Sequence, residues 1–219
     1  MSTRYKLCEF TLPRDTVFGE GALKCIGDKA SKLGRRTLLV VGRASLRKSG
    51  VLNKTIKLLR NLDIQITLYE GVESDPCIQT IDEGCKLCLR NSCNLVIGVG
   101  GGSVLDAAKT IAILATNPGS AREYQMEGKA IKHRGLPYIA IPTTSGTGSE
   151  GNKIVVVTNK EEKIKKSIAH PYMIPTLAIV DPLLTVSLTS KLRADPDNKT
   201  SSLFHWACLL FWWIYRILL

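Results

Sequence analysis

LVIGVGGGSVLDAAK, Leu95 to Lys109, is the stretch that decides the fold. Leu95 to Val99 is an apolar run of strand length, and Val104 to Ala115 carries its apolar residues at helical spacing. Between them stand Gly98, Gly100, Gly101 and Gly102, then Ser103. Glycines here remove Cβ atoms, so a ligand's phosphates can touch the backbone. The helix start that follows offers unpaired N–H groups and a partial positive charge, which suit an anion. Ser103 and Asp106 have the S-x-x-D spacing that predicts a helix cap. Ser103 in the sixth position departs from GxGxxG, and the spacing does not fit a P-loop.

Outward from this turn, strands and helices alternate. Thr37 to Val41 reads as a strand, Leu46 to Leu62 as a helix and Ile64 to Leu68 as a strand. Ile78 to Asn91 reads as a helix whose apolar face holds Ile81, Cys85, Cys88 and Leu89, and Tyr138 to Ile141 as another strand. This order predicts an α/β fold: a Rossmann-like, doubly wound, mostly parallel sheet with the loops gathered along one edge. Ile154 to Val157 and Leu177 to Val180 are further apolar runs. The charged Asn159 to Lys166 stretch between them reads as a solvated turn with helix ends, and Leu183 to Ala194 as a loop or helix start.

A second polar loop follows a strand on the same edge. Ile141 to Glu150 (IPTTSGTGSE) supplies Thr143, Thr144, Ser145, Thr147 and two glycines, a donor-rich rim for ribose, phosphate or an amide. The net charge of +11 permits anionic partners. The basic residues are scattered without aromatic interleaving, so nucleic acid is not expected. Seven cysteines and an N-terminus without an apolar h-region favour a reducing, cytoplasmic setting. Cys77, Cys85, Cys88 and Cys93 read as small core hydrophobes rather than a metal-thiolate site.

GVGGGSVLDAAKTIA followed by IPTTSGTGSE, with Phe18-Gly-Glu-Gly-Ala22 early and Ile179-Val-Asp-Pro182 late, resembles the iron-containing (group III) alcohol dehydrogenase family over residues 8 to 194. The resemblance implies hydride exchange between NAD or NADP and a primary alcohol or aldehyde. It implies a pyrophosphate loop at Gly100, Gly101, Gly102 and Ser103, and an acidic position near cofactor and substrate at Asp106. It implies hydroxyl contacts near the nicotinamide end from Thr143, Thr144 and Thr147, and further cofactor contacts at Lys165 and Leu184. Many NAD-dependent members carry an aspartate after the first strand, whereas this chain has Arg43. Arginine can pair with a 2′-phosphate, so the expectation leans to NADP.

The family continues into a helical domain whose aspartate and three histidines hold a divalent metal. His133, His170 and His205 do not match that motif, so the expectation is a dinucleotide-binding domain over 1–194 without the iron site. An atypical apolar tail covers 195–219, ending in LFHWACLLFWWIYRILL. A frameshifted or alternatively spliced end, a capping helix and a membrane anchor are the readings of that tail. Its shortness and Arg216 count against the anchor, so a membrane partner is not expected. A working dehydrogenase and a catalytically inactive NAD(P)-binding fragment both stay open, as does a homo- or hetero-oligomer.

Overall fold

The computed structural model describes residues 11–43 and 45–185, so the readings of the 195–219 tail and of 186–194 lie outside the described residues. The strands are β1 (Asp15–Phe18), β2 (Arg36–Gly42), β3 (Gln65–Val72), β4 (Leu95–Gly100), β5 (Tyr138–Pro142), β6 (Ile154–Asn159), β7 (Ile164–Ala169) and β8 (Leu177–Val180). The helices are α1 (Ile26–Ser31), α2 (Ser45–Lys48), α3 (Val51–Arg60), α4 (Ile78–Arg90), α5 (Gly102–Leu114) and α6 (Ala121–Met126). Six strands pair in the order β1-β8-β5-β4-β2-β3, and every pairing is parallel. Helices cover both faces, as the alternating pattern requires.

The side-chain period of two builds two apolar layers from the same strands. Leu38, Val40 and Val96 face α4 and α5, while Leu39, Val41, Ile97, Val99, Ile139 and Ile141 face α1 and α3. β4 and β5 are buried at every position, because each has a strand on both sides and helices above and below. α5 is apolar nearly all round for the same reason: the sheet lies under it, and α4 and a hairpin cover it. From β2 the chain winds outward to β3, then returns to place β4 on the other side of β2. The connections leaving β2 and β4 therefore diverge to opposite faces, which opens a crevice at the carboxyl ends of these strands.

Four sequence readings are corrected. The Leu46 to Leu62 helix is two helices, α2 and α3, because Gly50 takes φ 74° and breaks the run. The Ile64 to Leu68 strand runs on to Val72. Leu89 is 55% exposed, so the buried face of α4 is Ile78, Ile81, Cys85 and Cys88 without it. Asn159 to Lys166 has no helix ends; it is the turn of the antiparallel hairpin β6–β7 with the last residue of β6 and the first residues of β7. The Asn159 side-chain oxygen accepts the N–H groups of Glu161 and Glu162, and Lys163 takes φ 54°, which closes that turn. Val155 and Val157 point the hairpin's apolar face into the core. Among the described residues no helix is long and apolar enough to cross a membrane.

Candidate functional site

β4 ends at Gly100, Gly101 continues extended (φ −76°, ψ −180°), and α5 begins at Gly102. The Thr143 N–H donates to the Gly100 carbonyl at 2.9 Å, which ties the loop after β5 to the glycine turn. A Cβ on Gly102 would stand 2.5 Å from Thr147 Cγ2 and 2.8 Å from its Oγ1; one on Gly101 would stand 3.3 Å from Thr144 Oγ1. The glycines are thus what allows the two loops to close on each other. Gly100, Gly101, Gly102, Thr143, Thr144 and Thr147 come together as the sequence predicts. No acceptor among the described residues reaches the N–H groups of Gly102 and Ser103. These orphan donors, at the positive end of a 13-residue helix, fit an anionic group such as a pyrophosphate.

Ser103 is not the cap that its spacing with Asp106 suggested. Gly101 holds the N-cap position and no side chain caps α5. The Ser103 hydroxyl instead accepts the N–H of Asp75 at 3.2 Å, and the Asp75 carboxylate pairs with Lys165 of β7 at 2.5 Å. A third turn, Glu73 to Cys77, therefore joins Lys165 to the glycine turn. Burial raises the Glu73 pKa, but hydrogen bonds from Cys77 and Thr80 outweigh it and hold the carboxyl at about 2. Sequence reasoning missed this turn, whose one visible signal is the Asp75-Pro76 pair.

Asp106 is tied into a network with the segment that follows the threonine loop. Its carboxylate accepts the Ser149 hydroxyl in a short hydrogen bond and the Val156 N–H at 2.9 Å. One turn further along α5, Lys109 is 1% exposed. Its Nζ donates to the Asn152 carbonyl (3.0 Å), the Ile154 carbonyl (3.1 Å), the Asn152 side-chain oxygen (3.3 Å) and Ser149 Oγ (3.4 Å). Burial pushes Lys109 down to about 8, and Asp106 and Glu150 pull it back only in part. Burial also raises Asp106 and Glu150. The network fastens residues 149–156 onto α5 and so fixes the threonine loop beside the glycines. Two charged residues at i, i+3 in an otherwise apolar helix were the available signal for it.

Arg43 follows β2 on the same sheet edge. Val41 is in register with Val99, so Arg43 and Gly101 each lie two residues beyond paired positions across the crevice. Arg43 Nε donates to the Gly71 carbonyl at 3.1 Å, and its two terminal amino groups meet no acceptor among the described residues. Leu184 is not brought to the turn: it is 5% exposed, in the apolar layer over α1 and α3. Asp181 sets its position by accepting the N–H groups of Leu183, Gly21 and Leu23, each at 3.1 Å. Among the described residues no group of three or more His, Cys, Asp or Glu could hold a metal ion. His133 is exposed, and His170 Nδ1 accepts the Tyr172 N–H. A cavity of about 500 Å³ lies at the opposite sheet edge, against Pro137, Tyr138 and Thr176, and contains none of the glycine or threonine positions.

The family model for iron-containing alcohol dehydrogenases matches residues 13–182. NADH-dependent butanol dehydrogenase B of Clostridium acetobutylicum is 32% identical over 194 residues, 89% of this chain and 48% of that protein. Long-chain-alcohol dehydrogenase 1 of Geobacillus thermodenitrificans is 38% identical over 178 residues, 80% of this chain and 45% of that protein. Among solved structures, a 1,3-propanediol oxidoreductase aligns with TM-score 0.81 and 33% identity, covering 86% of this chain and 49% of that one. Sulfoacetaldehyde reductase from Bifidobacterium kashiwanohense, in complex with NAD+, aligns with TM-score 0.77 and 30% identity over 86% of this chain and 50% of that one. The chain spans about half the length of the curated relatives it matches. With the glycine turn, the threonine loop and the parallel sheet in the arrangement described, the chain belongs to the iron-containing alcohol dehydrogenase family.

Proposed function

We propose that this chain binds NAD or NADP in the crevice at the carboxyl ends of β2 and β4, as part of an oxidoreductase acting on a primary alcohol or aldehyde. One observation carries the reading: the orphan N–H groups of Gly102 and Ser103 stand at the start of α5, with Thr144 against Gly101 and Thr147 against Gly102. The pyrophosphate sits on Gly100 to Ser103, and the hydroxyls of Thr143, Thr144 and Thr147 orient the nicotinamide end. Lys165 adds positive charge on the hairpin side. Asp106 acts through Ser149 and Val156, holding the loop in place. When bound, the nicotinamide supplies the hydride donor or acceptor. That its relatives include a butanol dehydrogenase, a long-chain-alcohol dehydrogenase and a 1,3-propanediol oxidoreductase supports an alcohol or aldehyde substrate. In this reading Arg43 pairs with a 2′-phosphate and favours NADP.

A second reading, an NAD(P)-binding chain without catalysis of its own, is favoured by the lack of any metal-ligating group among the described residues. Titrating the chain with NADH and with NADPH, following nicotinamide fluorescence, tests the binding common to both readings. Gly102→Val, whose side chain would displace Thr147, is expected to weaken both cofactors at least tenfold, about 1.4 kcal/mol. Binding unchanged by this substitution overturns the site. Arg43→Ala is expected to weaken NADPH and spare NADH; equal affinities that do not respond to it remove the NADP preference. Alcohol-dependent reduction of the cofactor, measured with metal content, separates the enzyme from the inactive chain.

A further inference from the structure

The C-terminus of α4 closes in a turn with a chemical peculiarity. Ser92 takes φ 47°, its N–H donates to the Leu89 carbonyl at 3.0 Å, and the Cys93 N–H donates to the Cys88 carbonyl at 3.0 Å. This pair of bonds is a Schellman motif, which brings the two side chains at the ends of the longer bond into contact. The contact is ordinarily between apolar groups; here the residues at its two ends are both free cysteines. Cys88 is fully buried, and Cys93 is 9% exposed at the surface end of the pair.

We propose that Cys88 and Cys93 are a reversible modification site, a dithiol that a small peroxide converts to a disulfide across the end of α4. The surroundings divide the roles. The neighbouring Cys88 thiol favours the Cys93 thiolate; burial opposes this, while the Thr67 hydroxyl and the Arg36 guanidinium add to it. Arg36 is held there by donating to the Ser92 carbonyl at 2.6 Å. Cys88 keeps its proton, through its neighbour Cys93 and through burial. The Cys93 thiolate attacks one peroxide oxygen and breaks the O–O bond, giving a sulfenic acid and hydroxide. The Cys88 sulfur then displaces the sulfenic hydroxyl, the S–S bond forms, and the Cys88 proton leaves with that hydroxyl as water. The hydroxide of the first step takes up the proton that Cys93 released on ionising, so two thiols are oxidised and one peroxide is reduced to two waters.

Cys85, one turn earlier, stands at neither end of the longer Schellman bond, and burial raises its thiol to about 11, so it does not supply the attacking thiolate. The pair lies at the amino end of β4, opposite the glycine turn, where the Asn94 side chain also accepts the N–H groups of Arg35 and Arg36. Cross-linking there is expected to leave cofactor binding unchanged. In a reducing compartment such a disulfide is transient, removed by thiol exchange.

Arg90 separates the two cysteines for trypsin, so peptide mapping tests the proposal directly. The folded chain is treated with hydrogen peroxide, free thiols are alkylated, and the digest is analysed by mass. The expected product joins Leu87–Arg90 to Asn91–Lys109, is about 2 Da lighter than the two free peptides, and disappears on reduction. In Cys88→Ser, Cys93 should stop at a sulfenic acid that dimedone traps. Both peptides recovered separately alkylated, a dominant link through Cys85, or a link that forms only in urea overturns the assignment.

Discussion

The edge of the sheet that carries the glycine turn uses charge in two ways. Beneath the threonine loop, Lys109 is fully buried and donates to the Asn152 and Ile154 carbonyls, and the partly buried Asp106 accepts the Ser149 hydroxyl and the Val156 N–H. On the rim, Lys165 and Asp75 pair with their side chains 50% and 60% exposed, and Arg47 grips Glu70 at the end of β3 in a similar setting. Both arrangements bridge elements distant in sequence, yet their energetics differ. Removing one member of a buried pair strands the other in a low-dielectric site, whereas water replaces a lost rim partner. The buried network therefore fixes where the loop stands, and the rim pairs adjust the field a ligand meets.

Lys109→Met breaks the comparison at its strongest point. It leaves the Asn152 and Ile154 carbonyls without their donor and Asp106 without its neighbouring charge. The expected loss is about 3 kcal/mol in urea unfolding at neutral pH. A loss below about 1 kcal/mol would place Lys109 with the rim pairs. The pH dependence carries an independent sign. Burial lowers Lys109 from 10.5 to about 8, so between these values the unfolded chain binds the extra proton. This group therefore raises stability as pH climbs through that window, and the methionine variant lacks the rise. A wild-type-to-variant gap that stays flat from pH 8 to 10 contradicts the buried, satisfied lysine.

Asp106→Asn sharpens the comparison with a smaller effect. The amide keeps the shape but turns a donor toward either Ser149 or the Val156 N–H, which costs about 2 kcal/mol. Burial raises Asp106 in the folded chain, so the unfolded carboxyl loses its proton first as pH increases. Its contribution to stability falls as pH rises from the ordinary carboxylate range through the raised value, and the asparagine variant is expected to lose that slope. Cofactor affinity should fall along with stability, because the 149–156 segment anchors the threonine loop.

The glycine turn, the threonine loop and most strands were legible because each rests on a local rule: strand length, helical spacing, and glycine where another backbone or side chain comes close. The roles of Asp106 and Lys109 were not, since they depend on Ser149, Asn152 and Ile154, some forty residues along the chain. The same holds for Leu184, whose place in the apolar layer follows from Asp181 reaching back to Gly21 and Leu23. The β6–β7 hairpin was hidden for a different reason: charges at Lys160 to Lys163 outweigh the alternation of the strands they join. The Ser103–Asp106 cap failed because a local pattern lost to tertiary partners, Asp75 for one and Ser149 for the other.

Lys165→Ala probes the rim with the smallest expected effect on stability and the most informative effect on binding. The pair with Asp75 is solvent-exposed on both sides, so its loss should change unfolding by about 0.5 kcal/mol or less, and less still in high salt. Removing the ammonium also frees the Asp75 carboxylate, one residue away through Ser103 from the orphan N–H groups of α5. An uncompensated negative charge there opposes an incoming pyrophosphate. Cofactor affinity is therefore expected to drop severalfold while stability stays nearly constant, and the Asp75→Ala, Lys165→Ala double variant should recover part of the loss. A matched fall in stability and binding would make Lys165 part of the scaffold, like Lys109; unchanged binding would leave the rim pair with no part in the site.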